Sequence, residues 1–160
     1  MQLSGVNMYI YDKKTVLVTG ASTGIGYALA KELAKKGSKL ILTATARSED
    51  KLHMLANDLK SSGSEAHVFI KDLSVVGAAE ELFNEIKSSG LDIDLLVNNA
   101  GYGRWGELTS IDRDDYASMI QLNIVALTDL CHLCIPDMIS KGGGGIINVG
   151  SMASLSPIPY

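Results

Sequence analysis

A short apolar run, Val16-Leu17-Val18, passes directly into Thr19-Gly20-Ala21-Ser22-Thr23-Gly24-Ile25-Gly26 and then into a helical pattern from Tyr27 to Lys36. A strand, a glycine-rich turn and a helix in that order restrict the chain to the few folds that build β-α units. In the helix Ala28, Leu29, Leu33 and Ala34 share one face, and Gly37 provides the stop. The alternation then repeats. Leu40-Ile41-Leu42, Ala66 to Ile70, Leu95-Leu96-Val97 and Ile146-Ile147-Asn148-Val149 read as further strands. Between them, Ser48 and Ser74 are candidate caps of the second and third helices, and a long helix is expected from about Arg113 to Ser140. This pattern predicts one α/β domain over residues 1–160. Its sheet would be doubly wound, parallel and Rossmann-like, with five strands in the order 3-2-1-4-5 and incomplete at its C-terminal side.

Composition narrows the functions. Apolar residues make up 46% and charged residues 20% of the 160, ordinary values for a packed core. A net charge of -4 argues against a general nucleic-acid or anionic-membrane surface. No uninterrupted apolar run approaches the ~20 residues that span a bilayer, and the N-terminal residues lack a secretory pattern. A cytoplasmic location is therefore expected. Cys131 and Cys134 form Cys-His-Leu-Cys, but they fall inside a helical pattern with no second ligand pair, so they read as ordinary helix cysteines and no metal site is assigned.

The glycine loop occupies the place where dinucleotides bind. Gly20 permits the tight turn, Gly24 lets backbone approach a pyrophosphate, and Gly26 allows close helix-sheet packing. Standing alone it would read as a structural turn. It has company, however, at the C-terminal ends of later strands: Asp72-Leu73, Asn98-Asn99-Ala100-Gly101, and Gly150-Ser151. With these motifs in this order the chain resembles the short-chain dehydrogenase/reductase family, in its Thr-Gly-x-x-x-Gly-x-Gly branch, from about Lys14 to Tyr160.

That resemblance implies roles. Gly20, Ser22, Thr23, Gly24, Ile25 and Gly26 would hold the cofactor phosphates, Asp72 and Leu73 the adenine, and Asn99, Ala100 and Gly101 the adenosine side. Asn123 would be the structural-catalytic asparagine of a bent helix. Ser151 would hydrogen-bond the substrate carbonyl or hydroxyl. The segment after the second strand, Leu42 to Ser48, contains no acid, whereas Arg47 offers a fork suited to phosphate. NADP is thus expected in preference to NAD, although Thr43-Ala44-Thr45-Ala46 lengthens the approach to Arg47.

Reduction of a carbonyl also needs a proton. The family supplies it from a Tyr-x-x-x-Lys pair about a dozen residues after the serine, just beyond Tyr160, and Tyr160 itself lies too early. The expectation is an oxidoreductase interconverting a small-molecule carbonyl and alcohol, of which this chain is an N-terminal portion lacking the catalytic pair. The longer form would be a homodimer or homotetramer, and the 160-residue chain would self-associate through its exposed final strand. The alternative is a non-enzymatic nucleotide-binding or regulatory module. Tyr102, Arg104 and Trp105 are candidate substrate contacts, or equally a loop packed on the long helix.

Overall fold

The computed structural model describes residues 13–45 and 48–155. Five strands, β1 (Thr15–Thr19), β2 (Lys39–Ala44), β3 (Ala66–Ile70), β4 (Leu95–Asn98) and β5 (Gly145–Asn148), form one sheet in the order β3-β2-β1-β4-β5. Every adjacent pair is parallel, with Leu17 facing Ile41 on one side and Leu96 on the other. The expected order is observed.

Central strands are apolar on both faces because helices cover both. On one side Val16, Val18, Leu40 and Leu42 meet α1 (Gly24–Lys35) and α2 (Glu49–Ser61) through Ala30, Leu33, Leu52 and Leu55. On the other, Leu17, Ile41 and Leu96 meet α3 (Ala78–Ser88) and α5 (Leu127–Ser140) through Leu82, Ile86, Leu130 and Cys134. β4 is buried along its length, whereas the edge strand β5 is at most half-buried.

Three local expectations are corrected. Ser48 stands at the start of α2 but makes no side-chain capping bond. Ser74 does not cap α3, which begins at Ala78 after a left-handed Gly77. Instead its N–H and hydroxyl both donate to Asp72 Oδ1, at 3.0 and 2.6 Å, which closes a tight turn after β3. The long helix is not uniform either. It consists of α4 (Arg113–Ile120), a π-helical segment at Gln121–Ala126, and α5. Asp112 caps α4 by accepting the Asp114 N–H at 2.9 Å.

The run from Arg113 to Ser140 is long and apolar enough to cross a membrane by length and composition. By length and composition alone the expectation of no such stretch is thus corrected, although Asp129 and Asp137 interrupt its apolar residues. In the fold its Ala126, Leu130, Cys134 and Met138 pack into the core beside β4. Lys87 on α3 anchors it further, bonding Asp137 on α5 at 2.8 Å and also pairing with Asp92.

Candidate functional site

Parallel strands deliver their C-terminal ends to one edge of the sheet, and loops leaving that edge enclose a cavity of about 920 Å³. Its floor begins at the β1–α1 loop. Gly20 turns the chain at φ +64°, and a Cβ there would come within 2.9 Å of Ala100 Cα. At Gly26 a Cβ would come within 2.5 Å of Gly20 O and collide with Asn99 Nδ2. Only glycine lets α1 approach the fourth strand's exit this closely.

Gly24 differs from both. It has φ +60°, with open space where its side chain would be. Thr23 occupies the N-cap position of α1 without a side-chain capping bond. The first N–H groups of that helix are therefore without a side-chain cap, the condition under which a helix N-terminus can receive an anionic group.

The floor is knitted together by Thr19 and Asn99. Thr19 Oγ1 accepts the N–H groups of Asn99 and Ala100, both at 2.9 Å. Asn99 Nδ2 donates to Thr19 O at 2.9 Å and to Gly20 O at 3.1 Å. The glycine loop and the Asn-Asn-Ala-Gly turn are thus one rigid unit. Behind it, buried Asn98 donates from Nδ2 to Asn148 Oδ1 at 3.0 Å and to Cys131 Sγ at 3.3 Å, joining β4, β5 and α5.

At the far end stand Ser151 and Asn123. Ser151 follows β5, and its Oγ accepts the Ala153 N–H at 3.1 Å. Asn123 lies in the π-helical segment, where Nδ2 donates to Tyr102 O at 2.8 Å and Oδ1 accepts Tyr102 N–H at 3.2 Å. A π-helical turn shifts the hydrogen-bond ladder by one residue, and such turns recur at functional sites. Tyr102 is fixed a third time, its Oη donating to Asp115 O at 3.2 Å. Arg104 stacks over the Tyr102 ring at 5.2 Å and pairs with Asp115 Oδ1 at 3.0 Å.

Of the residues singled out from sequence, Gly20, Ser22, Thr23, Ile25, Leu73, Asn99, Ala100, Gly101, Asn123 and Ser151 line this one cavity. Gly24 and Gly26 shape its floor without lining it. Asp72 is not on the wall, and its Oδ1 is occupied by Ser74. Arg47 lies outside the described residues. Tyr102 lines the wall, and its ties to Asp115 and Asn123 bear out a loop packed on the long helix.

Several participants were not picked out from sequence. Thr19 carries no signal beyond its place before the glycines. Thr43 lines the cavity with a buried hydroxyl that has no hydrogen-bond partner. Lys71 contributes the only charged side chain on the described wall. Its Nζ reaches Glu85 at 2.6 Å and Glu81 at 3.3 Å, and these hydrogen bonds raise its pKa. The spacing Tyr-x-x-x-Lys does occur at Tyr27 and Lys31, whose Oη and Nζ stand 3.5 Å apart on α1. Neither residue lines the cavity, so spacing alone does not make an acid at this site. The cysteines behave as helix packing. Burial pushes the Cys134 thiol up to about 12, far from a thiolate at neutral pH.

These features suit a dinucleotide: an uncapped helix N-terminus, a glycine floor and an orphaned buried hydroxyl on one wall. Comparison with known proteins gives the same answer. The sequence matches the short chain dehydrogenase family over residues 14–160. It is 32% identical over 150 residues to the very-long-chain 3-oxoacyl-CoA reductase of Mus musculus, covering 89% of this chain and 46% of that protein. The chain therefore spans about half the length of that curated relative.

Among solved structures it resembles a metagenomic short-chain oxidoreductase in complex with NADP (TM-score 0.86, 32% identity, 93% of this chain and 67% of that one). It also resembles a short-chain dehydrogenase from Sphingobium yanoikuyae in complex with NADPH (TM-score 0.82, 32% identity, 90% and 56%). With its motifs, sheet order and cavity in agreement, this chain belongs to the short-chain dehydrogenase family of oxidoreductases.

Proposed function

We propose that this chain is the dinucleotide-binding and carbonyl-orienting part of an NADP-dependent oxidoreductase that interconverts a carbonyl and an alcohol. The observation that carries the reading is the chemistry of the cavity wall. Hydroxyls of Ser22, Thr23, Thr45 and Ser48 gather at the end beside β2, Ser151 stands at the other end, and no carboxylate lines the wall among the described residues. A carboxylate at the end of β2 is what an NAD site would use for the ribose hydroxyls and what would repel a 2′-phosphate. Structural relatives complexed with NADP or NADPH support the same choice. The mouse relative is named for reduction of a 3-oxoacyl group, a carbonyl-to-alcohol step of the kind proposed here.

Each residue then has a task. The N-terminus of α1 and Gly24 receive the pyrophosphate, and Ser22 and Thr23 hydrogen-bond the phosphate side, with Arg47 as a candidate partner outside the described residues. Leu73, Asn99, Ala100 and Gly101 form the wall along the adenosine. The nicotinamide supplies or accepts the hydride when bound. Ser151 donates a hydrogen bond to the substrate oxygen, which holds it for transfer and stabilises negative charge developing there. Asn123, with both ends of its amide held by Tyr102, keeps the π-helical turn in place beside that oxygen. The proton that completes the alcohol is assigned to a tyrosine of the family's Tyr-x-x-x-Lys pair, following Ser151 in sequence.

The test has two steps. NADPH should bind the 160-residue chain saturably, seen as a change in nicotinamide fluorescence. Ketone-dependent NADPH oxidation should appear only in protein that includes the tyrosine-lysine pair, and should fall at least 100-fold with Ser151→Ala. Failure to bind NADPH would overturn the reading. Binding without turnover in the longer protein would favour a non-enzymatic module.

A further inference from the structure

The end of the cavity beside β2 carries a positive charge, and that charge comes from the neighbouring strand. β2 and β3 run in register, with Thr43 facing Phe69 and Ala44 facing Ile70. Lys71 follows at once and extends the ladder by donating its N–H to Ala44 O at 3.0 Å. The lysine therefore leaves the sheet alongside Thr45, and both line the cavity with Ser22, Thr23 and Ser48. The Thr43 hydroxyl on the same wall is buried and has no hydrogen-bond partner among the described residues. Buried hydroxyls are rarely left so, which marks this end of the wall as one completed by a bound group.

Successive side chains alternate across a sheet, so Lys71 emerges on the face of Phe69, which α3 covers. Two carboxylates of α3 meet it there. Its Nζ donates to Glu85 at 2.6 Å and to Glu81 at 3.3 Å. The lysine side chain is 17% exposed, whereas those of Glu81 and Glu85 are 66% and 49% exposed. The same bonds hold its pKa above the ordinary lysine value, so the ammonium stays charged at neutral pH. The three groups are not equivalent: the ammonium lines the cavity and its two partners do not.

This asymmetry matters for what the wall can hold. Hydroxyls can bond a ribose or a phosphate equally, but they do not neutralise charge. A phosphate monoester carries nearly two negative charges at pH 7 and gains most from a cation. Ion pairs to exposed carboxylates are weak, and a lysine ammonium moves freely on its four-carbon stem. A dianion at the wall therefore competes for Lys71 on favourable terms.

We infer that Lys71 sets the cofactor preference of this site, its ammonium exchanging Glu81 and Glu85 for the 2′-phosphate of NADP. The two glutamates then tune cofactor affinity in opposition to the lysine. This rests on the proposed NADP-dependent reading and adds the residue, at the exit of β3, that separates the phosphorylated cofactor from the unphosphorylated one. If Lys71 were a strut between β3 and α3 and nothing more, removing a glutamate would loosen the wall and weaken both cofactors.

The test is a set of parallel titrations of the 160-residue chain with NADPH and NADH, read by nicotinamide fluorescence. Lys71→Met keeps an unbranched side chain and removes its charge. It should weaken NADPH by about tenfold or more, the loss of a hydrogen bond to a charged group, and leave NADH within about twofold. Lys71→Arg should restore most of the NADPH affinity. Glu85→Gln leaves Lys71 in place and releases it from its shortest contact, so NADPH should bind about two- to threefold more tightly, with NADH unchanged. Added salt should weaken NADPH more than NADH in the parent, and both alike in Lys71→Met. Equal losses of the two cofactors in Lys71→Met, an unchanged NADPH affinity there, or NADPH binding by Glu85→Gln no tighter than the parent's overturns this inference alone. Absence of NADPH binding by the parent chain overturns it together with the reading beneath it.

Discussion

Replacing Gly26 and Gly24 separately by alanine divides the glycine loop into a packing part and a ligand part. At Gly26 the added methyl would lie 2.5 Å from Gly20 O, well inside the 3.4 Å at which ordinary contact begins, so the loop must withdraw by roughly 1 Å. It is poorly placed to do so, because Gly20 O accepts from Asn99, which is held in turn by Thr19. Overpacking of this kind costs about 1–3 kcal/mol, and loss of the Asn99 bond adds about 1 kcal/mol. The gain from alanine inside a helix returns about 1 kcal/mol.

The net loss is about 1–3 kcal/mol, which for a domain of this length lowers Tm by about 3–9 °C. Gly24→Ala meets nothing within 4 Å and pays only for a left-handed backbone at φ +60°, about 1 kcal/mol. The proposed close approach of the pyrophosphate to this backbone would leave little room for an added methyl, so NADPH affinity should fall at least tenfold. Thermal melts and NADPH titrations of both variants measure the two effects. A Gly26→Ala protein as stable as the parent, or a Gly24→Ala protein with unchanged affinity, would refute the assignment of these roles.

Other perturbations probe the rest of the scaffold. Asn123→Leu removes both bonds to Tyr102 and leaves that peptide's N–H and C=O unpaired, so it should destabilise by about 1–3 kcal/mol in chemical denaturation. Cys134, buried and with its pKa raised to about 12, stays a neutral thiol at pH 8 and should resist maleimide until the chain is unfolded. Asp92 has its pKa lowered by hydrogen bonds from Lys87 and Lys141. Its contribution is therefore present above the unfolded carboxylate range, about pH 4, and is lost as pH falls through the lower folded value. Because the pair is half exposed, the stability difference between parent and Asp92→Asn should be at most about 1 kcal/mol at pH 7 and should shrink as pH falls below the unfolded carboxylate range.

The sheet was legible in sequence because its signals are local. Each strand is a short apolar run bounded by turn residues, and β3 was read to its observed ends, Ala66 and Ile70. The cavity followed from the rule that loops at C-terminal strand ends gather together. Competition between neighbours was not legible. Ser74 has the look of a helix cap, but Asp72 two residues earlier takes its N–H, a choice decided by turn geometry. The π-helical turn was hidden in the apolar pattern, and only the family resemblance implied a bend at Asn123. Leu122, Ile124 and Val125 continue the apolar pattern unbroken, and the partner of the Asn123 amide within the turn, Tyr102, lies 21 residues away in sequence. Thr19 and Lys71 were missed for the same reason: their partners come from other strands and helices.

The central claim is that the cavity holds a dinucleotide by its 2′-phosphate end as well as by its pyrophosphate. Parallel fluorescence titrations of the chain with NADPH and NADH, at one ionic strength, test it most directly. The account predicts saturable binding of both, with NADPH at least tenfold tighter. Equal affinity for the two, tighter binding of NADH, or no saturation with either would contradict it.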